Sequence, residues 1–584
     1  MEARRAALVG LDSDVAEPTI GVASNWIEAE PPCPRVVAGV HTVLTDCRKG
    51  LRLRRREKRR MNASTRLGTR RSFLCGLAGS AVAGSALPVY ALESPAPAAS
   101  ASASYDVAIV GAGIAGLTAA LVLHDRGVRA TVFEAQTRLG GRVKSETKFW
   151  ANGQSSEYGG ELLDSDHTTM QALAKRFGLP LTDVLKAEDP AAQQTIFQHG
   201  AYYPEAQLFR DFRALYPTLA AQVAAAGTAT TYAHSTATGR ALDRMNLNEW
   251  ITRFVPGGLA SNLGTFILLQ YVAEYGIEPE RQSSLDTVYW LGRQPAYDPK
   301  TGEFVALGPS DQRYHITGGN DRLPYAIAAA LPEGTVRRGH RLEAIVRRPD
   351  GRVGLHFATP DGSREIVADH AIVTIPFNVL RGLDLSRAGF DERKRSAIQE
   401  LGYGDHSKLV VQFDERYWTG SGAWPGRSTG DITYDGPFMQ TWEITRGQPG
   451  KAGLIVDFAP TTQSRALGAS GAYGTSASDP LVAEDGRAFV AQLERVWPGA
   501  RKRYTGKAVL SHYIADPYAL GSYSGWLTGQ YTKFAGYERV RQGNVHFAGE
   551  HCSVLLQGFM EGAAREGARA AREVLASAGL AIPA

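Results

Sequence analysis

The sequence predicts an α/β protein in which a Rossmann-like, dinucleotide-binding domain is interleaved with a second, α+β domain. Three observations carry that reading. A short apolar run, Tyr105-Asp106-Val107-Ala108-Ile109-Val110, is followed at once by Gly111-Ala112-Gly113-Ile114-Ala115-Gly116. Residues 117–127 then show helical periodicity, and a second apolar run, 130–135, carries the acid Glu134 near its end. The chain has 584 residues, more than one compact core needs, so two domains and extra segments are expected.

Each part of the opening unit has a physical task. A strand apolar on both faces reads as buried and parallel. Gly111 permits a tight turn, Gly113 lets the backbone approach a pyrophosphate, and Gly116 lets helix and strand pack closely. The helix beginning at Ile114 and Ala115 offers free N–H groups and a partial positive charge to phosphate. Glu134, with Ala135 beside it, is placed to accept hydrogen bonds from ribose hydroxyls. A lone G-x-G-x-x-G is often only a turn; the flanking strands and the acid make it a fingerprint.

The fingerprint alone does not separate a nicotinamide from a flavin cofactor, but the following residues do. Arg138-Leu139-Gly140-Gly141-Arg142 follows the acid, and Glu157-Tyr158-Gly159-Gly160-Glu161 comes soon after. The pattern E-A-x4-G-G-R resembles the flavin-containing amine oxidase family. The resemblance implies FAD, and a loop around its pyrophosphate formed by Arg138, Gly140, Gly141 and Arg142, with Gly159, Gly160 and Glu161 also in contact. It extends over roughly residues 105–577. Residues 543–577 are similar to the family's closing block, in which Gly549-Glu550 anchors the ribityl–pyrophosphate region and Gly558-Phe559-Met560 starts a helix facing the flavin. That helix dipole would stabilise the negative charge of the reduced ring. Between these blocks, Tyr314–Pro324 leads a helix. The strands 341–348 and 370–376 follow it, with Leu342 on the adenine side.

The same resemblance assigns the substrate side. Lys408 enters the strand that follows Tyr403-Gly404-Asp405 and corresponds to a lysine linked through water to flavin N5. Asp516-Pro517-Tyr518-Ala519-Leu520-Gly521-Ser522-Tyr523 makes Tyr523 one aromatic wall, and Phe559 makes the other; such rings admit a neutral amine and exclude water. Ser522 stands where some relatives carry a flavin-linked cysteine, so FAD is expected to be non-covalent. Amino-acid oxidases of the family clamp a carboxylate with arginine. Glu161-Leu162-Leu163 occupies one such position here, leaving Arg293, Arg313 or Arg427 for that task. Trp442 and Glu443 are further pocket residues.

The implied fold is a two-dinucleotide-binding FAD domain interleaved with an α+β substrate domain of monoamine oxidase type. The expected FAD segments are 105–185, 314–400 and 518–577, and the expected substrate segments are 186–313 and 401–517, before a tail at 578–584. The implied reaction takes a hydride equivalent from the carbon bearing a primary amine or L-amino acid nitrogen. Aldehyde or 2-oxo acid, ammonia and hydrogen peroxide result. The rivals are a desaturase or porphyrinogen-type oxidase acting on C–C bonds, an amine dehydrogenase with another acceptor, and a flavin binder without catalysis.

Charge and cysteines divide the chain. Residues 1–91 carry 15 Lys/Arg against 8 Asp/Glu, whereas the body carries 49 against 51 and has no nucleic-acid footprint. Only Cys552 lies in the body, and neither zinc-type ligand spacing nor a stable membrane span is visible. Thr69-Arg70-Arg71-Ser72-Phe73-Leu74, an uncharged stretch to Ala91, and the low-complexity linker 92–104 resemble a twin-arginine signal over 61–91. Periplasmic or secreted protein is expected. Met61 is the expected start and 1–60 upstream sequence; the rival is that the basic run 48–60 binds nucleic acid. Expected partners are the amine, dioxygen, the twin-arginine machinery and a second copy of the chain.

Overall fold

The computed structural model describes residues 106–579. The Arg70-Arg71 pair, the linker 92–104, the basic run 48–60 and Met61 lie outside the described residues.

Five short strands pair in parallel, in the order Val545–Phe547, His370–Val373, Val107–Val110, Ala130–Phe133 and Val336–Arg337. In the central strand, Val107 and Ile109 enter one hydrophobic core while Ala108 and Val110 enter another. Successive side chains point to opposite faces, so a strand covered on both sides must be apolar throughout. The helix Ile114–His124 and the closing helix Met560–Ser577 pack together over one face. Their approach requires glycine: a Cβ on Gly567 would lie 2.1 Å from the Ala115 carbonyl oxygen. The three antiparallel strands Arg341–Arg347, Val353–Thr359 and Gly362–Ala368 bring Leu342 into the same region.

The second sheet has eight strands. In order they are Tyr473–Thr475, Tyr504–His512, His406–Phe413, Gly453–Pro460, Gln440–Glu443, Arg427–Tyr434, Ala192–Gln198 and Ala201–Tyr202. The apolar patterns between residues 186 and 313 are helices, as the sequence suggests: Glu205–Ala226, Leu247–Phe254, Asn262–Tyr275 and Ser284–Gly292 among them. The capping box of Asn246 and Glu249 starts Leu247–Phe254, and left-handed Gly276 ends Asn262–Tyr275. Two elements there are strands, Ala192–Gln198 and the short Ala201–Tyr202 paired with it. Ala192–Gln198 joins the large sheet, parallel to Arg427–Tyr434. Its polar-rich sequence, AQQTIFQ, buries only Thr195, Ile196 and Gln198, too weak a pattern to announce a strand. No described helix is long and apolar enough to cross a membrane.

Candidate active site

A cavity of about 720 Å³ opens where the fingerprint loop, the loops at 140–142 and 159–162, the strand from His406 and the closing helix meet. This lies within the size range of cofactor sites, roughly 300–1,000 Å³. Every residue named from the sequence as cofactor-binding or catalytic lines it except Gly116 and Arg138. Gly116 packs helix against strand, as expected from the sequence: a Cβ there would sit 2.0 Å from the Gly111 oxygen. Arg138 points the other way, with its guanidinium 4.0 Å from Asp516 and over the Tyr473 ring.

At the fingerprint end, Gly111 has φ +104°, a conformation closed to most side chains. The buried Glu134 braces this loop: one carboxylate oxygen accepts from the Ala112 N–H at 2.7 Å, the other from Gln136 N–H at 2.8 Å. Burial raises its pKa, and those bonds oppose the rise. A Cβ built on Gly113 meets nothing nearer than the Gly140 oxygen at 3.9 Å, so the added atom would enter the cavity itself. The helix behind Gly113 has no side-chain cap, and neither does the closing helix at Phe559. Two uncapped N-termini, an open glycine cradle and a buried ribose-type acid fit a dinucleotide carrying phosphates.

Arg142 donates to Glu550 at 2.9 Å and to the Ser522 carbonyl at 2.7 Å. Glu550 also accepts from Ser524 Oγ and the Gly558 N–H. Burial disfavours its charge, but Arg142 and these donors hold the carboxyl below its ordinary pKa. The arrangement joins three distant stretches of chain through one ion pair.

The other end is walled by rings. Tyr523 stacks on His406 with centroids 5.2 Å apart, and His406 stacks on Phe458 at 4.3 Å. Phe559 stacks on Trp290 at 5.5 Å. His406 is absent from the sequence-derived set. Its Nε2 meets the Ala273 carbonyl at 2.8 Å, so that nitrogen carries the proton; Nδ1 then accepts from Ser522 Oγ at 2.6 Å. Burial pushes its pKa down to about 4, so the ring is neutral at pH 7.

Lys408 is buried, with Nζ 2.5 Å from Glu161 Oε2, and the other oxygen of Glu161 accepts from Trp442 Nε1 at 2.9 Å. The two residues that the sequence assigned to separate tasks thus form one ion pair on the cavity wall. Trp442 lines the cavity; Glu443 does not, being tied to Trp418, Thr445 and Arg416. None of the three proposed clamp arginines lines it. Arg313 pairs with Asp183, Arg427 with Asp189, and Arg293 borders a separate, smaller cavity with its guanidinium over Tyr289. Among the described residues, Asp164, Asp166 and His167 bring their side chains together, but Asp164 already accepts from Ser310 Oγ and the Gln312 N–H and is paired with His167.

A parallel sheet with an uncapped helix at the end of its first strand, and a ring-walled pocket beside it, defines a dinucleotide-dependent oxidoreductase. The family profile for flavin containing amine oxidoreductase matches residues 114–575, and the chain belongs to that family. It is therefore an FAD-dependent amine oxidase. An L-amino-acid oxidase of Siganus canaliculatus is 25% identical over 482 residues, covering 81% of this chain and 85% of that protein. Polyamine oxidase 3 of Oryza sativa subsp. japonica is 23% identical over 479 residues, covering 80% and 88%. The solved structure of cyclohexylamine oxidase from Brevibacterium oxydans IH-35A shares the fold, with a TM-score of 0.67 at 20% identity, covering 81% of this chain and 99% of that one.

Proposed function

We propose that the chain deaminates a primary amine that carries no α-carboxylate, with dioxygen as the final acceptor. The observation that carries this reading is the charge on the cavity wall. Both arginines there are already paired, Arg142 with Glu550 and Arg341 with Glu343, and Lys408 is paired with Glu161. No cation on the described lining is left to form the bidentate clamp that a carboxylate needs. The rings of Tyr523, Phe559, Phe458 and Trp442 suit an apolar amine instead.

In this reading the fingerprint residues, Arg142 and Glu550 hold FAD without a covalent bond. Support comes from Ser522, whose hydroxyl is bonded to His406, and from Cys552, which is buried and not on the cavity wall. When bound, the flavin supplies the acceptor for the two electrons and the hydrogen leaving the carbon–nitrogen bond. Tyr523 and Phe559 orient the amine and exclude water. Lys408, fixed by Glu161, holds a proton donor at the cavity wall where hydrolysis of the product imine needs an ordered water. A panel of linear and cyclic amines against L-amino acids, read as peroxide release, tests the proposal. Amines should exceed every amino acid by at least about tenfold in kcat/KM, roughly one charge-assisted hydrogen bond. A preference for any amino acid overturns the narrower reading; no peroxide from either class overturns the oxidase reading.

We also propose export by the twin-arginine route, which accommodates a folded, cofactor-loaded protein, and a start at Met61. The motif at Thr69–Leu74 and the stretch to Ala91 support it. Arg70→Lys with Arg71→Lys should retain the enzyme in the cytoplasm; unchanged export, or a mature N-terminus ahead of Met61, contradicts it.

A further inference from the structure

Four carboxylates line the cavity, and three of them are fully partnered. Glu134 is held by backbone N–H groups, Glu161 by Lys408 and Trp442, and Glu550 by Arg142, Ser524 and Gly558. The fourth is Glu274. Among the described residues, no donor or cation meets its carboxylate within hydrogen-bonding or ion-pairing distance. It lies near the end of the apolar helix Asn262–Tyr275, where an acid has no packing role. Its own backbone carbonyl accepts the Tyr523 hydroxyl, and the carbonyl before it, Ala273, accepts His406. Glu274 is therefore fixed by its main chain to the aromatic wall while its side chain is left without a counter-charge. The ionisable groups that act on it or feel it are Asp164, Tyr271, Tyr275 and Tyr523, none of them a cation. Removal from bulk water, with Asp164 adding repulsion, pushes its pKa up to about 7.

Glu274 is only half-buried and lines the cavity, so a ligand there can reach its unpaired carboxylate. We propose that Glu274 receives the substrate's ammonium group: its carboxylate binds the incoming cation and accepts one proton from nitrogen, releasing a neutral amine beside Tyr523. The step balances as ammonium plus carboxylate giving amine plus carboxylic acid, with no electrons moved. It answers a requirement of the chemistry, since an amine that is protonated in water must reach the carbon–nitrogen oxidation uncharged. The inference rests on the amine reading above and names the residue that recognises the cation.

The test uses the flavin-loaded full chain and two probes. tert-Butylammonium has no hydrogen on the carbon bearing nitrogen, so it binds without turnover and reads recognition alone by calorimetry. n-Hexylamine reads turnover. Glu274→Gln should keep FAD, bind tert-butylammonium at least tenfold more weakly, and bind neutral tert-butanol as before. On the unmodified enzyme kcat/KM for hexylamine should fall as pH drops through about 7, because the carboxyl becomes protonated and can no longer accept. The variant should lose that limb, and Glu274→Asp should restore it with a raised KM. Equal probe affinity in a flavinated Glu274→Gln protein overturns the proposal. If that variant does not fold, probe binding to the unmodified chain still decides: affinity must weaken below pH 7, and pH-independent affinity overturns it. Failure of the amine reading looks different, since an L-amino acid would then be preferred over hexylamine, or no peroxide would form, whatever the probe does.

Discussion

Gly113→Val will give a folded chain that holds no FAD. The prediction rests on a contrast between two glycines three residues apart. A Cβ on Gly113 has 3.9 Å to its nearest protein neighbour, so the side chain fits the protein alone. What it fills is the space over the uncapped helix beginning at Ile114, where backbone N–H groups would meet a pyrophosphate. Flavin content should drop from near one per chain to below about a tenth, the effect of losing several charge-assisted bonds of about 1.5–3 kcal/mol each. Circular dichroism should remain native. Gly116→Val should behave in the opposite way, because its Cβ would collide with the Gly111 oxygen and the strand–helix junction itself would fail. Absorbance near the flavin bands and thermal melting of the two variants together separate cofactor loss from fold loss. A yellow, fully loaded Gly113→Val protein contradicts the assignment.

Lys408→Met should be the most damaging single change on the substrate side, and its damage should be of two kinds. Removing the ammonium leaves Glu161 as a buried carboxylate supported only by Trp442. Breaking a buried pair in this way costs about 3–5 kcal/mol; the lower end applies, since both groups border a cavity rather than a dry core. Adding Glu161→Gln should restore most of that stability, because no uncompensated charge remains. It should not restore turnover, which is expected to stay down about 100-fold if Lys408 supplies the proton donor of the wall. Chemical denaturation and steady-state peroxide assays of the two singles and the double variant form a closed cycle. Recovery of activity along with stability would make Lys408 a structural residue only.

The sequence revealed most of the cofactor cradle because that cradle is local. Strand, glycine turn, helix and acid follow one another within thirty residues, and each has a fixed backbone role, so residue type and spacing report them directly. The closing block was legible for the same reason. Arg138 shows the limit: it sits inside a recognisable motif, yet turns toward Asp516. The wall beside the pocket was less legible, because it is assembled from side chains that meet only on folding. Glu161 and Lys408 are 247 positions apart and were given separate tasks. His406 stands two residues before Lys408 in a strand pattern that marks neither. Glu274 was hidden in an apolar helix, where an acid interrupting the pattern was the one available signal. The three clamp arginines were selected by residue type alone, and each is engaged elsewhere.

The quantity of FAD released from the purified, folded chain by heat or acid tests the central claim most directly. One FAD per chain, freed into the supernatant and leaving a colourless protein, is the result expected of the cavity joined by Gly113, Glu134, Arg142 and Glu550. A folded chain that carries no flavin and takes none up on reconstitution would contradict the whole account.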